Sequence, residues 1–125
     1  MHAEPGTRLS PRASGSNTLR QVRGIIATVA PQSVSLSIVI PLFNEQDSVP
    51  ELLSRLDAVA ARLDRHCEVV LVDDGSRDGT VAAVRAYRPQ HMEIVLVELA
   101  RNAGQHNAIL AGFSRVRGQY VITLD

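Results

Sequence analysis

The stretch "VVLVDDGSRDGT", from Val69 to Thr80, decides how this chain is read. Its aliphatic residues Val69, Val70, Leu71 and Val72 suit a strand covered on both faces, and they run directly into the adjacent acids Asp73 and Asp74. A glycine, a serine and a further acid at Asp78 follow. Successive strand side chains point to opposite faces, so Asp73 and Asp74 are expected to do different jobs. One faces a crevice as an acceptor, while the other turns toward the "GSRDGT" loop and ties its backbone N–H groups. The alternative is that both are turn formers and caps, because Asp-Gly is a common loop signal.

On either side of this stretch the same pattern recurs. "SLSIVIPLF" (Ser35–Phe43), "EIVLVEL" (Glu93–Leu99) and "YVITL" (Tyr120–Leu124) are further short β-branched or aliphatic runs. Between the first strand and the second, Val49, Leu52, Leu53, Leu56, Val59, Ala60 and Leu63 recur at helical spacing, with Asp47 or Ser48 as N-cap and Pro50 in the first turn. Asp78 can cap a second helix carrying Val81, Val84 and Tyr87, which Pro89 helps to end. A third helix carries Ile109, Gly112, Phe113 and Val116, with Gly118 suited to a left-handed C-cap. Strands and helices alternating in this way predict an α/β fold, a Rossmann-like parallel sheet with helices on both faces. The strand C-termini then share one rim, where open sheets of this kind bind ligands.

Composition agrees with one globular domain: 125 residues, 45% apolar, with a formal net charge of zero. The first 33 residues, rich in Ser, Pro, Gly and Arg, show no sustained period and are expected to form a disordered leader, with the folded part over 34–125. Their patch "GIIATVA" is far shorter than the roughly 20 residues that span a bilayer. No basic face points to nucleic acid. The single cysteine, Cys67, reads as a small buried filler at a strand entry.

The rim chemistry narrows the ligand. The first turn, "PLFNEQDS", has no glycine, which excludes a G-x-G-x-x-G dinucleotide fingerprint. The chain has no lysine, which removes a P-loop and a phosphoacceptor receiver domain. A hydrolase forming an aspartyl-phosphate spaces its paired acids by one residue, whereas Asp73 and Asp74 are contiguous. An acidic rim can still serve a phosphorylated ligand through a divalent cation, because carboxylate and phosphate oxygens are hard ligands for magnesium or manganese.

Taken together, "SIVIPLFNE", "EVVLVDDGSRDGT" and "LARNAGQHNAILAGFSRVRGQYVITLD" resemble the N-terminal half of a glycosyltransferase family 2 domain with the GT-A nucleotide-diphospho-sugar transferase fold. Within it they resemble the polyprenyl-phosphate glycosyltransferases, among them bacterial enzymes that place a modified 4-amino-4-deoxy-arabinose on undecaprenyl phosphate and, more distantly, dolichol-phosphate mannose synthases. The resemblance implies that Pro41, Phe43 and Glu45 line a nucleotide pocket, with Phe43 where a tyrosine is usual. It implies that Val72 and Asp74 contact the nucleotide, or that Asp73 reads a uracil; both readings stay open. It places Arg101, Gln105 and His106 near the donor site, although a histidine at a helix start is also an ordinary surface residue. Asp125 matches the first acid of the Asp-x-Asp metal motif, which holds Mg2+ or Mn2+ on the donor's diphosphate.

The resemblance further implies an enzyme that moves a sugar from a UDP- or GDP-sugar to a polyprenyl (undecaprenyl) phosphate at the cytoplasmic side of the cell membrane, and no nucleic-acid partner. The sequence ends at the first acid of the motif, so the chain is expected to be an inactive fragment of that enzyme. Its catalytic base is not identified. A catalytically inactive nucleotide-binding or regulatory α/β module is the alternative.

Overall fold

A computed structural model describes residues 6–9 and 34–124. Strand β1 (Thr7–Leu9) is followed by β2 (Leu36–Leu42), helix α1 (Val49–Arg62), β3 (Cys67–Asp73), α2 (Thr80–Ala86), β4 (Glu93–Glu98), α3 (Gln105–Phe113) and β5 (Tyr120–Thr123). They form one sheet in the order β1-β4-β3-β2-β5. β2, β3, β4 and β5 are mutually parallel, as alternation of strand and helix requires. The strand order reverses at β2: the chain moves outward to β3 and β4, then returns to place β5 on the other side.

Side-chain alternation divides the core in two. Ile40, Leu42, Val69, Leu71, Ile94 and Leu96 pack with Val49, Leu53 and Ala60 of α1 and Val84 of α2. Val39, Val70, Val72, Val95 and Val97 face the other way, against Ala108 and Ala111 of α3. Helices therefore cover both faces, and every residue of β3 is buried. Cys67 is buried in the first of these layers, which pushes its thiol pKa up despite the opposing charge of Arg65.

Within the expected leader, Thr7–Leu9 pair antiparallel with β4 (Thr7 opposite Leu96, Leu9 opposite Ile94), and residues 1–5 and 10–33 lie outside the described residues. Several other local expectations are corrected. The buried centre of the α1 stripe is Val49, Leu53, Asp57 and Ala60, with Leu52 and Leu56 partly buried against the same core, while Val59 and Leu63 are exposed. Asp57 belongs there because its carboxylate accepts from Tyr87 Oη (2.9 Å), Gln90 N (2.8 Å) and His91 N (2.7 Å). Ser48 is the residue at the N-cap of α1, without a side-chain bond. The buried face of α3 is Ala108, Ala111 and Gly112 rather than Ile109 and Phe113. A β-carbon on Gly112 would stand 2.4 Å from Val39 Cγ1, so small residues let this helix approach the sheet closely.

Gly118 does not cap α3, whose C-cap is Ser114. Its role is close approach: a β-carbon there would lie 2.6 Å from Ser37 N. Gly118 N donates to Ser37 Oγ (2.8 Å), and that hydroxyl donates to the buried carboxylate of Glu68. Arg117 adds its backbone N–H (2.6 Å) and Nε (3.2 Å) to the same carboxylate. Burial would raise the Glu68 pKa, but the hydrogen bonds from Ser37 and Arg117 and the Arg117 charge outweigh it, and the carboxyl stays below its usual range. This staple fastens the α3–β5 connection beneath β2 and β3, at the sheet edge opposite the rim.

Candidate functional site

The rim is built by three loops that brace one another. Asn44, which follows β2, takes a left-handed backbone (φ 52°), a region that Asn tolerates better than most residues. Its N–H donates to Ser76 Oγ (2.8 Å), while its side-chain oxygen accepts from Arg77 N (2.8 Å). Glu45 N donates to Thr80 Oγ1 (2.8 Å), and Gly79 N donates to Gln46 Oε1 (2.6 Å). Gly79, not the expected Asp78, is the N-cap residue of α2. Asp78 accepts from Thr80 N (2.9 Å) and Gln46 N (3.3 Å), so it ties the start of α2 to the first loop. The Thr80 hydroxyl bond comes first among the causes that lower the Asp78 pKa.

Asp73 and Asp74 are both 3% exposed and do separate the rim into two sides. Asp74 accepts from Ala103 N (2.6 Å) through Oδ1 and from Gly104 N (3.0 Å) through Oδ2. It thereby fixes the β4–α3 loop, where Gly104 takes φ 91°, a conformation that favours glycine. Asp73 Oδ2 accepts from Ser76 N (3.0 Å), which is the loop-tying role expected of one of the pair. Asp73 Oδ1 is buried with no hydrogen-bond partner among the described residues.

Each acid lines its own cleft. The first, about 280 Å³, is bounded by Pro41, Leu42, Phe43 and Glu45 after β2, by Asp74, and by Asn102, Gly104 and Gln105 at the entry to α3. It lies beside the reversal in strand order, where open α/β sheets hold ligands. The second, about 730 Å³, holds Asp73, Arg77 and Arg101 and opens on the side of α2. Phe43, 43% exposed, borders both.

The sequence-based site thus divides. Pro41, Phe43, Glu45, Asp74 and Gln105 come together in the first cleft, and Asp73 and Arg101 fall in the second. The Val72 side chain is fully buried in the α3-side core and lines neither. His106 is an exposed residue in the first turn of α3. Asp125 lies outside the described residues. Among the described residues, no group of three His, Cys, Asp or Glu side chains could hold a metal ion. Asn44, Gln46 and Asn102 were missed; the only sequence signal was the tolerance of Asn for a left-handed turn directly after a strand.

The model of glycosyl transferase family 2 matches residues 37–125. The chain belongs to glycosyl transferase family 2. An undecaprenyl-phosphate 4-deoxy-4-formamido-L-arabinose transferase of Klebsiella pneumoniae is 50% identical over 96 residues, which cover 76% of this chain and 29% of that protein. Its namesake in Shewanella sediminis is 52% identical over 91 residues, covering 72% of this chain and 28% of the relative. This family 2 chain therefore spans less than a third of the length of these curated relatives. Among solved structures, S. aureus TarS 1-349 aligns with TM-score 0.60 and 27% identity over 73% of this chain and 27% of its own. The mannosyltransferase PcManGT from Pyrobaculum calidifontis, in complex with GDP-Man and Mn2+, aligns with TM-score 0.60 and 27% identity over 72% of this chain and 26% of its own. The fold of the family 2 chain is that of these glycosyltransferases. No helix among its described residues is long and apolar enough to cross a membrane.

Proposed function

We propose that this chain is the donor-binding part of a glycosyltransferase that moves a sugar from a nucleotide-sugar to a polyprenyl phosphate, with undecaprenyl phosphate the acceptor favoured by the K. pneumoniae and S. sediminis relatives. The observation that carries this reading is the first cleft, in which an exposed aromatic face and the acids Glu45 and Asp74 meet at the reversal of strand order. Phe43 offers a stacking surface for a base. Glu45 offers acceptor oxygens to ring N–H groups or ribose hydroxyls, and Asp74 keeps the Asn102–Gln105 wall in place. UDP- and GDP-sugars are both compatible with this chemistry.

A divalent cation, Mg2+ or Mn2+, would supply positive charge to the donor's diphosphate as it leaves. The described side chains alone do not make its site, so it rests on Asp125 together with donors beyond them. β5 lies beside β2, and after it Leu124 N donates to Val39 O (3.0 Å). A lipid acceptor would bring the reaction to the membrane surface, and we propose the cytoplasmic side.

Calorimetric titration of UDP and of GDP onto the chain, with and without Mn2+, tests this function. Binding of one nucleotide, weakened by Phe43→Ala without a matching fall in melting temperature, is the expected result. Failure of both nucleotides to bind, with and without the metal, would remove the donor-site reading.

A further inference from the structure

The second cleft contains a combination that folding alone does not explain. Asp73 is 97% buried by its 3% exposure, and only one of its oxygens is used by the protein. Buried polar groups are almost always partnered, and an unmet acceptor is costly. A carboxylate oxygen accepts hydrogen bonds, so the missing partner is an N–H or O–H donor. The same cleft is bordered by Arg77 and Arg101, both exposed, whose guanidinium groups form no ion pair among the described residues. Its other acids are already engaged: Glu98 with Arg85 at 2.6 Å, and Asp78 with Thr80 and Gln46. With those acids engaged, the charged groups of the lining left free are the guanidinium donors of Arg77 and Arg101 and the unused acceptor of Asp73 at its base.

We infer that the second cleft is a separate binding subsite for a phosphorylated polyol. Arg77 and Arg101 take the phosphate, for which the planar guanidinium is well suited, and Asp73 Oδ1 accepts a hydroxyl hydrogen from the polyol. The volume of about 730 Å³ is within the range of small-molecule pockets. This site lies on the α2 side of the rim; it shares Phe43 and Asn102 with the first cleft, but its Asp73, Arg77 and Arg101 do not line that cleft, so it does not depend on the nucleotide reading.

Ribose 5-phosphate is a suitable probe, with inorganic phosphate and ribose as the two half-ligands, titrated with and without saturating UDP. Ribose 5-phosphate is expected to bind more tightly than either half-ligand and to be indifferent to UDP. Arg77→Gln, a change at an exposed side chain, should weaken it about tenfold, the effect of losing one charge-assisted contact. Gln105→Ala should weaken UDP and leave ribose 5-phosphate unchanged. Asp73→Asn should reduce ribose 5-phosphate to the affinity of inorganic phosphate. Displacement by UDP, indifference to Arg77→Gln, or affinity no better than inorganic phosphate would each overturn the inference. If UDP fails to bind anywhere while ribose 5-phosphate keeps its dependence on Arg77, the donor-site reading falls and this one stands.

Discussion

The two ends of the central strand β3 carry buried carboxylates that the fold treats in opposite ways. At its start, Glu68 is fully buried and both of its oxygens are filled, by Ser37 Oγ and by the backbone and side chain of Arg117. At its end, Asp73 is nearly as buried, yet Oδ1 is left without a partner among the described residues. Burial alone therefore does not distinguish a structural acid from one available to a ligand. Completeness of hydrogen bonding does, and Asp57 and Asp74 both fall on the structural side by that measure.

The sharpest way to break this contrast is to empty the filled end. Glu68→Ala leaves the Ser37 hydroxyl proton and the Arg117 backbone N–H without their acceptor, and should cost about 3 kcal/mol in urea-melting experiments, toward the lower end for breaking a buried pair because Arg117 is half exposed and keeps its ion pair with Glu93. The pH dependence has a fixed sign. A carboxyl held below its usual value stabilises the fold above the unfolded value of about 4.3, and that stability is lost as pH falls through the folded value. Glu68→Gln should flatten the acid limb of a stability–pH curve; an unchanged limb would show that the carboxyl is not held low.

Next in size is Asp74→Asn. One oxygen becomes an amide nitrogen facing a backbone N–H of the Ala103–Gly104 pair, so melting stability should fall by about 1–2 kcal/mol. Because the same loop walls the first cleft, nucleotide affinity should fall with it, and a loss of affinity without loss of stability would instead make Asp74 a direct ligand contact. Smaller again is Tyr87→Phe, which removes one of three donors to Asp57 and should cost about 1 kcal/mol. The Tyr87 hydroxyl itself, pushed up to about 12 by burial and then by Asp57, should stay protonated in a spectroscopic titration well past pH 10, its ordinary range.

Much of the fold was legible because period and order carry it. Continuous apolar runs marked β2 to β5, and the alternation of strands with helices fixed the parallel sheet and its rim. What failed did so where a side chain's partner is distant in sequence. Asp57 reads as a polar break in the α1 stripe until the backbone of Gln90 and His91 arrives beneath it. Gly118 reads as a helix cap, since nothing local reveals the close approach of Ser37, 81 residues away. Ile109 and Phe113 obey helical spacing, but the sheet admits only the small face of α3. At the site, opposite placement of Asp73 and Asp74 followed from strand geometry, whereas the Asn44–Ser76–Arg77 brace had no local signature beyond a turn-forming residue.

The smallest expected effect is the most discriminating for the comparison of the two strand ends. Asp73→Asn can keep the bond from Ser76 N through its amide oxygen, while its nitrogen replaces an oxygen that had no partner. It also removes a buried charge from the cleft. The two changes offset one another: an unpartnered amide group is still a cost, but a smaller one than an unpartnered carboxylate. Stability should therefore stay within about 0.5 kcal/mol of the parent, or rise, whereas the chemically identical acid-to-amide change at Glu68 is destabilising because every bond there is already made. Equal losses at both positions, measured by the same urea melts, would mean that Asp73 Oδ1 has a protein partner in solution. The distinction between a filled and an open end of β3 would then vanish, and with it the reason for reserving Asp73 for a ligand.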